Sequence, residues 1–242
     1  MNNEKNVALL IDCDNVSYKS IQGVIDELSQ YGTVNIRRAY GNWKKNTLKG
    51  WEEALHPHAI NPIQQFDYTK GKNATDAAMI IDAMDLLYSK KLDAFALMTS
   101  DSDFTPLTMR IKAEGLKVYG FGAQKTPEPF VNACSQFIYT ENIETIEEES
   151  SKTPKKSNSK KTSKELKSNS ALVRLLRTAV EQTERDDGWS NLSKVGEYIS
   201  NNTSFSPVSY GYKKLSDIIK VIDLFEIEVR EDKSAMRIRK KK

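Results

Sequence analysis

Val7-Ala8-Leu9-Leu10-Ile11 is an unbroken apolar run, the pattern of a strand buried on both faces of a parallel sheet. The next apolar positions, Ile21, Val24, Ile25 and Leu28, recur at helical spacing and end at Gly32. Thr33 to Ile36 begins a second strand, Leu48, Trp51 and Leu55 mark a short helix, and an extended stretch follows around Ile60 to Phe66. Met79, Ile80, Ala83 and Leu87 share one face of a helix over Asp76–Tyr88. Asp93–Thr99 returns as a strand, Phe104–Glu114 as a helix, Lys117–Phe121 as a strand and Gln136–Tyr139 as a last strand-like piece. Repeated strand–helix units of this length predict an α/β fold, a parallel sheet flanked by helices on both sides.

The pattern breaks at Ile146. Glu147-Glu148-Glu149 gives way to a Lys/Ser-rich run, Ser151 to Lys161, with almost nothing to bury, so residues 147–169 read as a flexible linker. Beyond it, Leu172, Leu175, Leu176 and Ala179 mark one helix, and Leu192, Val195 and Ile199 a second. Leu215, Ile218, Ile219 and Ile222 mark a third. Leu224–Val229 and Ala235–Ile238 then alternate like two strands around a charged turn. Three helices and a hairpin predict a small winged helix-turn-helix domain. The organisation is therefore a 1–146 domain, a 147–169 linker and a 170–242 domain.

Composition narrows the class. With 242 residues, 29% charged side chains and a mean hydropathy of −0.58, the chain has room for one sizeable core and a small second one. No stretch approaches the roughly 18 apolar residues of a membrane helix, and Met1–Asn6 lacks the character of a signal peptide. A cytoplasmic protein is expected. Cys13 and Cys134 form no metal or disulfide pattern, and Cys13 reads as a small buried strand-end residue. His56 and His58 read as surface loop residues, which leaves no zinc site. Residues 1–150 carry 15 Lys/Arg against 21 Asp/Glu, whereas residues 151–242 carry 21 against 12. An acidic half joined to a basic half suggests a polyanionic partner held by the second.

The candidate chemistry lies where strands should end and helices begin. Asp12 closes the first strand, with Asn15 three residues on; Asp76 lies in the first turn of its helix; Asp101 and Asp103 follow the Ala94–Met98 strand. In an open α/β sheet ligands bind at the carboxyl ends of the strands. Like-charged carboxylates there disfavour one another's ionisation, and a hard divalent cation with oxygen ligands is the usual remedy. Each residue also has a plainer reading. The helix dipole would hold the Asp76 pKa down as for any helix-start carboxylate, and Asp101 or Asp103 could merely cap the next helix. Asp12 and Asp101 are expected at strand ends outside the packed core. No P-loop is present, Gly120-Phe121-Gly122 reads as a strand end, and Asp82 and Asp85 read as solvent-facing or salt-bridged, outside the site.

Leu10-Ile11-Asp12-Cys13-Asp14-Asn15, Lys72-Asn73-Ala74-Thr75-Asp76 and Thr99-Ser100-Asp101-Ser102-Asp103-Phe104 resemble the signature blocks of NYN domains, which are Rossmann-like, PIN-like ribonucleases. The resemblance covers about residues 5–145. It implies Mg²⁺ or Mn²⁺ as cofactor, RNA cleavage, Asp12, Asp76 and Asp101 as principal ligands, Asp103 completing the site and Asn15 positioning water or metal. Many NYN domains carry Gly where Cys13 or Ser102 stands, a departure that leaves the ligands intact. Gly188–Gly196 and Phe205–Asp217 resemble a LOTUS (OST-HTH) domain over about residues 168–240, a winged-helix family associated with RNA binding and sometimes with protein docking.

The RNA-contacting candidates are Arg38, Lys44, Lys70 and Lys72 around the cleft, Ser100 beside the acidic residues, and Tyr210, Lys213 and Lys214 in the second domain. Trp43 offers a stacking surface or a partly buried core ring. The Arg237–Lys242 tail would add salt-sensitive contacts. PIN-like domains often pair, which leaves a homodimer open beside single-stranded or structured RNA as partner. Three functions compete: a metal-dependent ribonuclease fed by the second domain, a non-catalytic RNA-binding regulator or partner-docking protein, and, more weakly, a DNA-binding transcription factor.

Overall fold

The computed structural model describes residues 5–66, 74–143, 160–229 and 236–241. The chain divides into two compact units, Met1–Lys152 and Thr153–Lys242.

The first unit runs β1 (Asn6–Asp12), α1 (Ile21–Leu28), β2 (Thr33–Gly41), α2 (Lys49–Leu55), β3 (Asn61–Gln64), α3 (Ala74–Tyr88), β4 (Ala94–Met98), α4 (Thr105–Ala113), β5 (Lys117–Gly122), α5 (Glu128–Ala133) and β6 (Gln136–Tyr139). Its six strands lie in the order β3-β2-β1-β4-β5-β6, and every neighbouring pair is parallel. β1 and β4 sit at the centre, and Val7–Ile11 and Phe95–Met98 are wholly excluded from solvent. This explains why both read as continuous apolar runs: helices cover a parallel sheet on both faces, so neither face of a central strand can be polar. α3 contributes Met79, Ala83 and Leu87 to the core beside Phe95 and Leu97, and α4 contributes Leu107 and Ile111. α5, six residues after Pro127 with Phe130 as its buried anchor, was not anticipated from the sequence, because so short a helix shows no period.

The order reverses between β1 and β4. From β1 the chain winds outward to β2 and β3, then crosses by α3 to β4 on the other side. Such a reversal opens a crevice at the carboxyl ends of the two central strands. Ile11 pairs with Met98 there, so Asp12 and Thr99 emerge side by side. β5 closes in next to them through Gly122, where an added Cβ would lie 2.5 Å from the Thr99 carbonyl oxygen. The Gly120–Gly122 segment is thus a strand end packed against the site.

The second unit runs α6 (Ser163–Ser168), α7 (Ser170–Thr183), β7 (Ser190–Asn191), α8 (Leu192–Asn202), α9 (Leu215–Ile222), β8 (Phe225–Val229) and β9 (Met236–Lys240). The three strands form an antiparallel sheet in the order β7-β9-β8. Leu172, Leu176, Val195, Ile199, Ile218, Ile219 and Ile222 fill the core, as their spacing predicts. α6 lies inside the stretch expected to be linker. Thr162 and Glu165 cap it reciprocally, and Leu166 is fully buried against the rest of the unit. One leucine among lysines and serines carries no periodicity, so only the folded unit shows where its side chain goes.

Candidate functional site

Asp12 stands at the last position of β1 and is fully buried, not outside the core as its strand-end position suggested. Its Oδ2 accepts hydrogen bonds from Asn15 Nδ2 at 2.8 Å and from the Thr99 hydroxyl at 2.7 Å. Its Oδ1 is buried with no hydrogen-bond partner. Burial pushes the Asp12 carboxyl up, the Thr99 and Asn15 bonds oppose this, and the charges of Asp14 and Asp101 push it up further. A buried carboxylate oxygen without a donor is costly unless something charged meets it.

Thr99 ties the two central strand ends together. Besides donating to Asp12, its hydroxyl accepts the Asp101 backbone N–H at 3.1 Å. Asp101 Oδ1 in turn accepts the Asp103 N–H at 2.9 Å, so Asp101 caps the 3-10 turn Ser102–Phe104 that leads into α4. Capping is thus part of what Asp101 does. Asp103 is exposed on that turn.

Asp76 lies in the first turn of α3 and is buried to 9% exposure. The expectation that the helix dipole lowers its pKa does not hold. Its carboxyl is pushed up to about 6, first by burial and then by the charges of Asp12, Asp101, Asp103 and Asp14. A dipole effect of roughly 0.3–1 kcal/mol is outweighed by desolvation together with four nearby carboxylates. The same interactions place Asp12, Asp76, Asp101 and Asp103 near enough for their charges to act on one another. Asp14, absent from the sequence-based site, joins them: its carboxylate accepts the Thr75 hydroxyl at 3.3 Å and pairs with Lys45 at 3.4 Å. Asp14 was visible in the Asp12-Cys13-Asp14-Asn15 block, and Thr99 in the hydroxyl directly after a buried strand.

The donor set suits a hard divalent cation: oxygen ligands only, one orphaned buried carboxylate oxygen, and mutual repulsion that a cation would relieve. Asp12, Asp76, Asp101 and Asp103 are the residues that would hold it. Among the described residues, no three His, Cys, Asp or Glu side chains are already gathered within reach of one ion. Cys13 is buried and its thiol is pushed up by burial and by Asp12 and Asp14, so it is no nucleophile. His56 and His58 lie on the turn after α2, apart from the acidic residues.

The expected cations fare differently. Arg38 pairs with Asp82 of α3, whose other oxygen accepts the Tyr40 hydroxyl. It joins α3 to β2 instead of facing the cleft as an uncommitted charge, and Asp82 is salt-bridged as expected. Lys44 lies over the Phe66 ring, 4.9 Å from its centroid, and it is Lys45 that reaches the acidic residues. Trp43 is half-buried, its indole N–H donating to the Ile63 carbonyl. Ser100 Oγ accepts the Ala123 N–H at 2.9 Å and so fastens the β5 loop to the site. Lys70 and Lys72 lie outside the described residues.

In the second unit Tyr212 is core, its hydroxyl donating to the Lys161 carbonyl at 2.6 Å. Tyr210 is half-buried against Phe205, with Lys161 Nζ 4.8 Å from its ring centroid. Lys213 and Lys214 are exposed. The basic residues of β9 and beyond are not a bare cationic tail. Arg237 pairs with Asp187 and Glu228, Arg239 with Glu226, Lys240 with Glu181 and Lys241 with Asp223.

A six-stranded parallel sheet, with carboxylates facing one another at the reversal of its strand order, is the architecture of PIN-like nuclease domains. The NYN domain model matches residues 6–146, more than half of the chain, and the chain belongs to the NYN family. The OST-HTH/LOTUS domain model matches residues 166–236, so the second unit is a LOTUS domain. An uncharacterized protein of Methanocaldococcus jannaschii is 31% identical over 125 residues, covering 50% of this chain and 49% of its own. The match thus spans about half the length of that relative. The crystal structure of a protein of unknown function from Vibrio parahaemolyticus superposes on 57% of this chain and 94% of its own, with a TM-score of 0.49 and 18% identity. No helix among the described residues is long and apolar enough to cross a membrane.

Proposed function

We propose that the protein is a metal-dependent ribonuclease that hydrolyses RNA phosphodiester bonds at the Asp12, Asp76, Asp101 and Asp103 site, with RNA recruited by the LOTUS domain. The observation that carries this reading is the fully buried Asp12 carboxylate, whose Oδ1 has no partner and sits among like charges at the end of β1. Asn15 and Thr99 saturate the other oxygen and thereby fix the direction in which Oδ1 points. Thr99 simultaneously fixes the backbone of Asp101, so β1 and β4 present their acids in one geometry. A bound Mg²⁺ or Mn²⁺ supplies activated water and neutralises charge developing on the phosphate. Lys45, paired with Asp14, is the cation beside these acids that we assign to the incoming RNA phosphate. The PIN-like ancestry of NYN domains supports the chemistry, and the LOTUS domain supports RNA as the substrate.

A second reading, a non-catalytic RNA-binding or partner-docking regulator, has one observation in its favour: no ready three-ligand group among the described residues. Labelled single-stranded and structured RNA, incubated with Mn²⁺, with Mg²⁺ and with EDTA, separates the two. Asp101→Asn is the matched control, because the Asn side-chain oxygen can still accept the Asp103 N–H and keep the cap. Cleavage that requires the cation and disappears in Asp101→Asn is the expected result. Binding without cleavage in every condition overturns the nuclease and leaves the regulator.

A further inference from the structure

We infer that the LOTUS unit meets RNA through a basic surface that begins before the LOTUS domain proper, formed by Lys160 and Lys161 with Lys213 and Lys214 around Tyr210, and not through its basic C-terminal strand. This rests on the RNA reading above and adds where on the unit the phosphates land.

The residues matched to the LOTUS family start at 166, yet the chain is docked onto the unit from residue 160. The Lys161 N–H donates to the Tyr210 carbonyl at 3.3 Å, and the Lys161 carbonyl accepts the Tyr212 hydroxyl at 2.6 Å. Lys160 lies against Gly211, where an added Cβ would approach its Cα to 3.0 Å. Gly211 adopts φ +80°, a left-handed turn that a side chain would strain. Lys160 and Lys161 therefore form a short strap across the Tyr210–Tyr212 turn, and Lys213 and Lys214 continue directly from that turn. All four lysines are exposed. None has an acidic partner within salt-bridge distance among the described residues.

The C-terminal strand has the opposite character. Every charged cation from Arg237 to Lys241 already faces a carboxylate of the same unit, so phosphate contact there would have to displace an ion pair. Released counterions accompany phosphate contacts made by uncompensated lysines, and these set the salt dependence of binding. The four lysines of the strap and turn form no ion pair among the described residues, as is also true of Lys164, Arg174, Arg177 and Lys220 on the helices, but the strap and turn lysines gather around one turn. The acid acting on Lys161, Glu165, is itself held by Thr162. Tyr210 already has Phe205 and Lys161 as packing neighbours, so its part is to hold Lys161 in place, and stacking on a base is not required of it.

The test is the salt dependence of single-stranded RNA binding by the full chain in EDTA, measured for three double variants. Lys160→Ala with Lys161→Ala leaves the strap's backbone hydrogen bonds in place, and Lys213→Ala with Lys214→Ala strips the turn. Lys240→Ala with Lys241→Ala removes the same formal charge from the tail. Thermal melts verify that each remains folded. The strap pair and the turn pair are each expected to lower the slope of log K against log salt by about 1.4, roughly 0.7 per lost phosphate contact on a single strand. The tail pair is expected to change it far less. A tail pair that lowers the slope as much as the strap pair, or a strap pair that leaves it unchanged, overturns this surface alone. A wild-type chain that binds no RNA overturns the RNA reading and the surface with it.

Discussion

Two regions of this protein gather charge and treat it in opposite ways. At the carboxyl ends of β1 and β4, Asp12, Asp14, Asp76, Asp101 and Asp103 act on one another through like charge, and Asp76 rises to about 6, first through burial and then through these charges. Along β9 and the residue after it, Arg237, Arg239, Lys240 and Lys241 each have a carboxylate opposite. The sheet is electrostatically settled and the strand ends are not. Net charge counted along the sequence hides this, because an acidic half and a basic half differ less in their totals than in how those totals are paired. Unrelieved like charge costs stability, so its persistence at a fold's ligand-binding crevice points to function.

Asp82 extends the comparison within one helix, since it shares α3 with Asp76 but has Arg38 and Tyr40 as partners. Replacing Asp82 by Ala strands both partners and is expected to have the largest effect of the charge substitutions, a loss of about 1–3 kcal/mol, seen as a lower denaturation midpoint. Asp76→Asn should act in the other direction. Folding raises the Asp76 pKa from 3.8 to about 6, so its protonated form is favoured in the native state. The associated stability is full below about pH 4, is lost as pH rises to about 6, and is a constant cost above that. In EDTA at pH 7, Asp76→Asn is therefore expected to stabilise the first unit by about 1–2 kcal/mol after solvent screening, with little change at pH 4. Adding Mg²⁺ or Mn²⁺ should raise the melting temperature of the wild type more than that of the variant. A variant that melts lower than wild type at pH 7 would show that the site is not strained by like charge. Smallest of all should be Glu226→Gln on the sheet, which removes a solvent-screened partner of Arg239 and should shift stability by no more than about 0.5 kcal/mol.

Leu166 tests a different boundary between the two halves. It is fully buried in a segment whose composition reads as linker, and Leu166→Ala is expected to destabilise the second unit by about 2–4 kcal/mol. A melt unchanged by that substitution would return α6 to the linker.

Much of the acidic site was legible because its residues follow strands whose apolar runs are unmistakable. Asp12, Asp76, Asp101 and Asp103 could be placed from Val7–Ile11, the Asp76–Tyr88 periodicity and Ala94–Met98 without knowing what they touch. The cations were not legible in the same way. Arg38 and Lys44 stood near the cleft by position, but whether a long side chain faces a ligand or a neighbour depends on elements distant in sequence. Arg38 found Asp82, 44 residues away, and Lys45 rather than Lys44 reached Asp14.

The short helices α5 and α6 apart, what the sequence determined by itself was the alternation of the main strands and helices, the division into two units and the positions at which carboxylates meet strand ends. These follow from local apolar periodicity and residue spacing. Tertiary structure alone decided that Asp12 is buried with one unsatisfied oxygen, that Thr99 couples it to Asp101, and that the C-terminal cations sit in ion pairs while Lys161 of the strap lies over the Tyr210 ring. The physical reason is that burial and charge pairing belong to pairs of residues brought together across the sheet, and periodicity along one strand carries no record of what lies opposite it.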